Sequence, residues 1–293
     1  MTGISRNNVP VMQLQPRGPF SLAASIAFAG GFIPAGQTGQ SEHLHLAFVP
    51  EGEEHATGVC VTPDLVCRGG PRPVLERILS LDVDATEFPE VSRRDPVIGR
   101  LQELYPGLRP VLFATPFEAA VWCVLSTRVQ ARQAGKIRER MAIELGEEVD
   151  IHGDKRRAFP APSRLSALDS FPGLFGRKPE YLRELAAAAR SGKLDAARLR
   201  TLPPEQALAE LRRLPGIGEF GSELILIRGC GAPDFLPRSE RRVLAAAAAA
   251  YGLDEVTYER FVELAEPWRP FRSWVSFLLR KAFSDGRLPL PID

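Results

Sequence analysis

No apolar run in this chain approaches the roughly 20 residues that a membrane-spanning helix needs. The opening Met-Thr-Gly-Ile-Ser-Arg-Asn-Asn lacks the apolar centre of a signal peptide. A soluble, cytoplasmic protein is therefore expected. Cysteine is scarce: Cys60, Cys67, Cys123 and Cys230 are scattered, with no Cys-x-x-Cys pair and no His cluster at zinc or iron–sulfur spacing. Four reduced, mostly buried thiols are expected, and no metal held by side chains. Histidine is equally sparse. His43, His45 and His55 lie in a segment of alternating residues, so two of them should share a strand face, with metal binding only a minor alternative. There is no internal repeat and no low-complexity tail.

What is present fits an ordinary globular protein. At 293 residues, with 44% hydrophobic and 25% charged, the chain is long enough for a sizeable core and about two domains. The net charge of +1 hides an uneven division. Residues 1–90 hold 5 basic and 10 acidic side chains, leaving 32 basic against 26 acidic in the remainder. A basic surplus of that size suits a polyanion partner or merely solvated helix faces.

Residues 1–90 read as a small α+β domain with an antiparallel sheet. A helix is expected over 20–28, strands over 43–49, 57–62 and 65–68, and a short helix over 74–81. From Asp95 onward the pattern is helical to the end, giving a mainly all-α region over 91–293. Within it Thr115-Pro-Phe-Glu118 is a capping box with proline at the first helical position. The most informative stretch is residues 207–227, where two amphipathic stripes are joined by Leu214-Pro-Gly-Ile-Gly218. Two glycines in so short a turn leave the Gly216 and Gly218 amides unobstructed at a helix start, which can hold a phosphate. A plain turn between two helices would show the same five residues.

Three segments in order carry a resemblance. Leu214-Pro-Gly-Ile-Gly218, Phe235-Leu-Pro237 and Trp268-Arg-Pro-Phe-Arg-Ser-Trp274 resemble the helix-hairpin-helix DNA glycosylases, especially the DNA-3-methyladenine glycosylase II group. The resemblance covers most of residues 95–293. It implies a monofunctional enzyme of base excision repair that flips an alkylated purine out of duplex DNA and cleaves its N-glycosidic bond. The partner implied is double-stranded DNA containing damaged bases, met by a monomer in the cytoplasm. The family uses an aspartate two places beyond Phe-Leu-Pro, which falls here on Ser239; the next residue, Glu240, is the expected replacement. Ordinary helix-start chemistry would also place a serine and a glutamate there.

Further site residues follow from the resemblance alone. The backbone of Leu214, Gly216, Ile217 and Gly218 would clamp a phosphate segment, with a monovalent cation on the hairpin carbonyls as in the family, and Ser222 would add a hydroxyl. Arg128 stands where the family inserts an apolar wedge into the gap left by the flipped base. Phe220 and Arg280 stand at pocket positions, and Trp122 and Trp274 lie on helices that would line the cleft, although core packing suits both. Phe220 also replaces the lysine of members that nick the backbone, so no lyase step is expected. The four cysteines of the iron–sulfur branch are missing, so no cluster is implied. Two alternatives remain at this point: a relative that binds distorted DNA without releasing a base, and a helical scaffold with no DNA partner.

Overall fold

A computed structural model describes residues 11–31 and 42–290. Near the N-terminus, β1 (Val11–Gln13), β2 (Leu44–Phe48), β3 (Thr57–Val61) and β4 (Val66–Arg68) form an antiparallel sheet in the order β1-β4-β3-β2. Alternation sets its faces. Leu44, Leu46 and Phe48 of β2 and Val59 and Val61 of β3 point into a core closed by Leu22 and Ala29 of the Leu22–Gly31 helix and by Leu75 and Ile78 of the Arg72–Ile78 helix. The expected strands form. The lead before residue 20 supplies a further short strand, β1, that its polar composition concealed.

The rest is helical with one exception. Residues 148–157 form a hairpin, β5 (Glu148–Ile151) and β6 (Asp154–Arg157), turning at His152-Gly153. It packs on the outer face of the sheet: a side chain at Gly58 would meet Val149 Cγ1 at 2.7 Å and Ile151 Cγ1 at 2.9 Å. Four residues per strand, six of the eight charged, gave too short an alternation to mark it.

Two helical cores divide the remainder. One surrounds the Pro116–Ser126 helix, whose residues 116–125 are all buried. Thr115 caps it as expected, accepting the Glu118 amide at 3.1 Å. The Glu118 carboxylate does not reach back to complete the box; it is buried against Arg138 at 2.7 Å. The other core joins residues 85–108 to residues 236–290. At its centre Asp95 caps the Pro96–Leu104 helix through the Val97 and Ile98 amides, accepts the Trp268 indole N–H at 2.9 Å and accepts the Tyr251 hydroxyl. Two buried arginines tie the N-terminal part of the chain to the helical part. Arg109 donates to the carbonyls of Arg17, Pro19, Ser80 and Val83, and Arg77 to those of Ala114 and Gly229. All four cysteines are free and buried.

Asp95 thus satisfies four donors from three segments. Replacing it with alanine leaves the buried Trp268 donor and the partly buried Tyr251 donor without this partner, and should lower stability by about 3 kcal/mol. Chemical denaturation of the variant checks this; a change under about 0.5 kcal/mol would contradict the role given to the network.

Candidate active site and nucleic-acid interface

The Pro204–Arg212 helix and the Glu219–Leu224 helix enclose the turn Leu214–Gly218, forming the expected hairpin. Leu214 and Ile217 are buried, so the turn presents backbone rather than side chains. The two glycines serve different ends. Gly216 has φ +76, and a Cβ there would lie 2.8 Å from Tyr181 Cδ2 and 3.1 Å from Val124 Cγ2. Gly218 has an ordinary φ of −96, but a Cβ would point into open space at the helix start. Absence of a side chain matters there for what can approach from outside. Ser222 does not add a hydroxyl to this face. It is fully buried, donating to the Glu219 carbonyl at 2.7 Å and accepting from Arg212 Nε at 3.3 Å, which corrects the expectation of an exposed contact.

The Tyr181 helix also positions Arg128. Lys178, one turn before Tyr181, donates to the Leu125 and Thr127 carbonyls at 2.9 and 3.0 Å. The loop after the Pro116–Ser126 helix is therefore braced beside the hairpin. Arg128 is exposed at its tip, held at φ +56, a conformation that non-glycine residues rarely adopt. Hairpin and loop present a backbone cradle and a cation side by side.

Residues 234–240 contain no helix or strand, and side chains from two directions satisfy their backbone. Ser273 Oγ accepts the Phe235 amide at 3.0 Å and donates to the Phe235 carbonyl at 2.7 Å. Arg272 binds the Asp234 carboxylate with two N–H groups, at 2.8 and 3.1 Å, and Arg269 joins at 2.9 Å. From the hairpin side, buried Glu223 accepts the Arg238 amide at 3.2 Å, the Ser239 amide at 3.0 Å and the Ser239 hydroxyl at 2.5 Å. Two of the segments that carry the resemblance, residues 235–237 and 268–274, meet here, and the helix that follows the third reaches them through Glu223. Glu240 follows as the cap of the Arg241–Tyr251 helix, its Oε1 accepting the Arg242 amide at 3.1 Å.

A cavity opens between the second hairpin helix and the Arg272–Ser284 helix. Phe220, Glu223, Arg228, Glu240, Phe277 and Arg280 are among its lining residues. Three expected residues, Phe220, Glu240 and Arg280, therefore share one cavity. Two do not: Trp122 packs in the core around the Pro116–Ser126 helix, and Trp274 packs on Phe88 and Phe271 with Arg109 over its ring. Both are interior residues, which corrects their assignment to the pocket. On the Trp274 helix it is Ser273, Ser276, Phe277 and Arg280 that face the cavity instead. A larger cleft beside the 49–54 loop contains no hairpin residue.

The cavity mixes charge. Arg228 lies on the π-helical continuation of the hairpin, donating to the Val111 carbonyl at 2.5 Å with Phe277 and Phe28 against its guanidinium. Burial pulls its pKa down to about 9. Burial lowers that of Arg280 as well, against the opposing attraction of Glu240. Glu223 was hidden in the sequence because one acid in an amphipathic helix looks like a surface charge. Only its spacing of one helical turn from Phe220 pointed inward.

No protein-family model matches the chain. Among curated proteins it is 24% identical over 204 residues to DNA-3-methyladenine glycosylase of Bacillus subtilis, and 32% identical over 199 residues to DNA-3-methyladenine glycosylase 2 of Escherichia coli. These alignments take in 68% and 66% of this chain, and 67% and 66% of those proteins' own lengths. In fold it is similar to 3-methyladenine DNA-glycosylase from Archaeoglobus fulgidus, with a TM-score of 0.78 at 21% identity, covering 94% of this chain and 98% of that one.

Glu223→Ala should release the 238–239 backbone. Amide exchange at Ser239 should accelerate at least tenfold, with a stability loss of about 2 kcal/mol. Unchanged exchange would show that Glu223 does not hold this turn.

Proposed function

The chain belongs to the helix-hairpin-helix DNA glycosylase superfamily, and we propose that it is a monofunctional glycosylase of base excision repair releasing alkylated purines from double-stranded DNA. The observation that carries this reading is the placement of a carboxylate, Glu240, in the same cavity as Phe220 and Arg280, beside the hairpin. The physical sequence is direct. The Gly216–Gly218 backbone and Arg128 grip the duplex on either side of the lesion, backbone contacts setting position without reading sequence. The flipped nucleotide enters between Phe220 and Phe277. As the glycosidic bond lengthens, positive charge develops on the sugar, and the Glu240 carboxylate stabilises it or orients water. An alkylated purine leaves readily because it already carries charge.

The carbonyls of the turn suit a monovalent cation, being neutral oxygen donors with no carboxylate among residues 214–218. Such an ion would help the turn hold a phosphate. Phe220 offers no amine for a Schiff base, so cleavage stops at the abasic site. Two aromatic walls beside two arginines make a weak cation-π pocket, so discrimination relies on how easily the damaged pair opens. The protein acts as a monomer.

One observation favours a second assignment of the acid. Ser239 occupies the family's aspartate position, and the carboxylate in contact with its hydroxyl is that of Glu223. Glu223 would then supply through space the charge that the chain lacks at that position.

Base release from a methylated duplex, read by mass spectrometry, separates these readings. Native protein should release base, and Glu240→Gln should lower the rate at least about 100-fold. Loss in Glu223→Gln with retention in Glu240→Gln would move the acid to Glu223. Binding without release by the native protein would leave only a DNA-binding relative. Borohydride should trap no covalent adduct. Gly216→Ala should weaken duplex affinity about tenfold whatever the sequence; unchanged affinity would remove the hairpin from the interface.

A further inference from the structure

The outer face of the N-terminal sheet carries a second cluster of chemistry, remote in the chain from the hairpin. β2 and β3 pair with His45 opposite Cys60, so the two side chains share a face. His43, two residues before His45, follows on that face. One ligand atom from each of His43, His45 and Cys60 lies within 4.8 Å of the others, and Cys60 Sγ is 3.7 Å from His43 Nδ1. Two such ligands on one tetrahedral zinc ion, with Zn–S of about 2.3 Å and Zn–N of about 2.0 Å, stand about 3.6 Å apart.

A thiol–imidazole hydrogen bond would account for the Cys60–His43 contact, but not for His45. Its side chain is only 10% exposed. Its Nδ1 meets the Asp154 carboxylate at 2.8 Å, and Arg156 Nε donates to the same oxygen at 2.8 Å. That carboxylate fixes the ring proton on Nδ1 and leaves a lone pair on Nε2. Nε2 is buried and has no hydrogen-bond partner among the described residues. A carboxylate behind one imidazole nitrogen and a buried lone pair on the other is how metal-bound histidines are held.

We infer that His43, His45 and Cys60 form a binding site for a zinc-type divalent cation, oriented by Asp154. Thiolate and imidazole together select zinc over magnesium or calcium. A further imidazole, His152 at the β5–β6 turn, stands next to the cluster, its ring centroid 6.2 Å from that of His45. Cys60 is buried and His43 exposed, so the ion enters from the His43 side and displaces the thiol proton on binding. Through Asp154, the site ties the sheet to a hairpin contributed by the helical region. The sequence showed no metal spacing because strand register, not a short motif, brings residues 43, 45 and 60 together. His55, the third histidine of that segment, lies elsewhere, bound to Glu147.

The full-length chain, stripped with chelator, is titrated with zinc against a chromogenic chelator and, separately, with cobalt(II). One equivalent should bind per chain, with a thiolate-to-cobalt charge-transfer band and the strong visible absorption of a tetrahedral ion. Cys60→Ser should abolish the band and weaken zinc binding at least tenfold. Asp154→Asn, a change at a partly exposed residue, should keep the band and weaken binding 10- to 100-fold. Cys67→Ala, at a thiol on the core side of the sheet, should change neither. Absence of stoichiometric binding, a six-coordinate cobalt spectrum, or equal binding by Cys60→Ser would each overturn the site.

Discussion

Between Pro233 and Glu240 the chain passes from one helical core to the other without helix or strand, so side chains must satisfy its backbone polar groups. Glu223 meets that need from one side, and Ser273 with Arg272 from the other. The site follows from this clasp. Because Glu223 lies on the second hairpin helix and Ser273 on the C-terminal helix, satisfying the crossing also fixes the spacing of the two helices that wall the cavity. Glu240 is carried to the cavity as the first residue beyond the clasp. An unpaired amide in such a place costs about as much as a lost core methylene or two, so the geometry is strongly held.

The same clasp bears on the chemistry. Glu223 accepts from three donors, which aims its carboxylate at residue 239. Glu240 spends one oxygen on its helix and faces Arg280 across the cavity. Two glutamates and two arginines leave the cavity without net charge. Under the proposed function, positive charge developing on the sugar would be stabilised by whichever carboxylate it approaches. The hairpin contributes shape: Gly216 is required by its own left-handed backbone and by Tyr181, while Gly218 leaves open space at the helix start.

Much of this was legible from residue order. Alternation in 44–48 and 57–61 marked the sheet, and Leu-Pro-Gly-Ile-Gly marked the hairpin and, with the flanking segments, the family. What escaped had physical causes. The 148–157 hairpin is short and highly charged, so neither period shows. Trp122 lies on a helix that contributes nothing to the cavity lining, and Trp274 on one that does, but a periodic stripe says which residues are buried, not whether a buried ring faces core or cleft. Ser222 sat near the helix start yet turned inward, where Arg212 and its own helix take its hydroxyl. Glu223 matters through contacts with residues 15 and 16 positions away, and the His43–His45–Cys60 cluster through strand register. Neither distance can be read from local spacing.

The central claim is that a carboxylate in this cavity opposes positive charge arising on the sugar. Binding of duplexes in which the lesion nucleotide is replaced by a cationic pyrrolidine or by its neutral tetrahydrofuran counterpart tests it most directly. The account predicts that the native chain prefers the cationic duplex by at least about tenfold, and that the preference disappears when the responsible glutamate becomes glutamine. Equal affinity for the two duplexes in the native chain would contradict it.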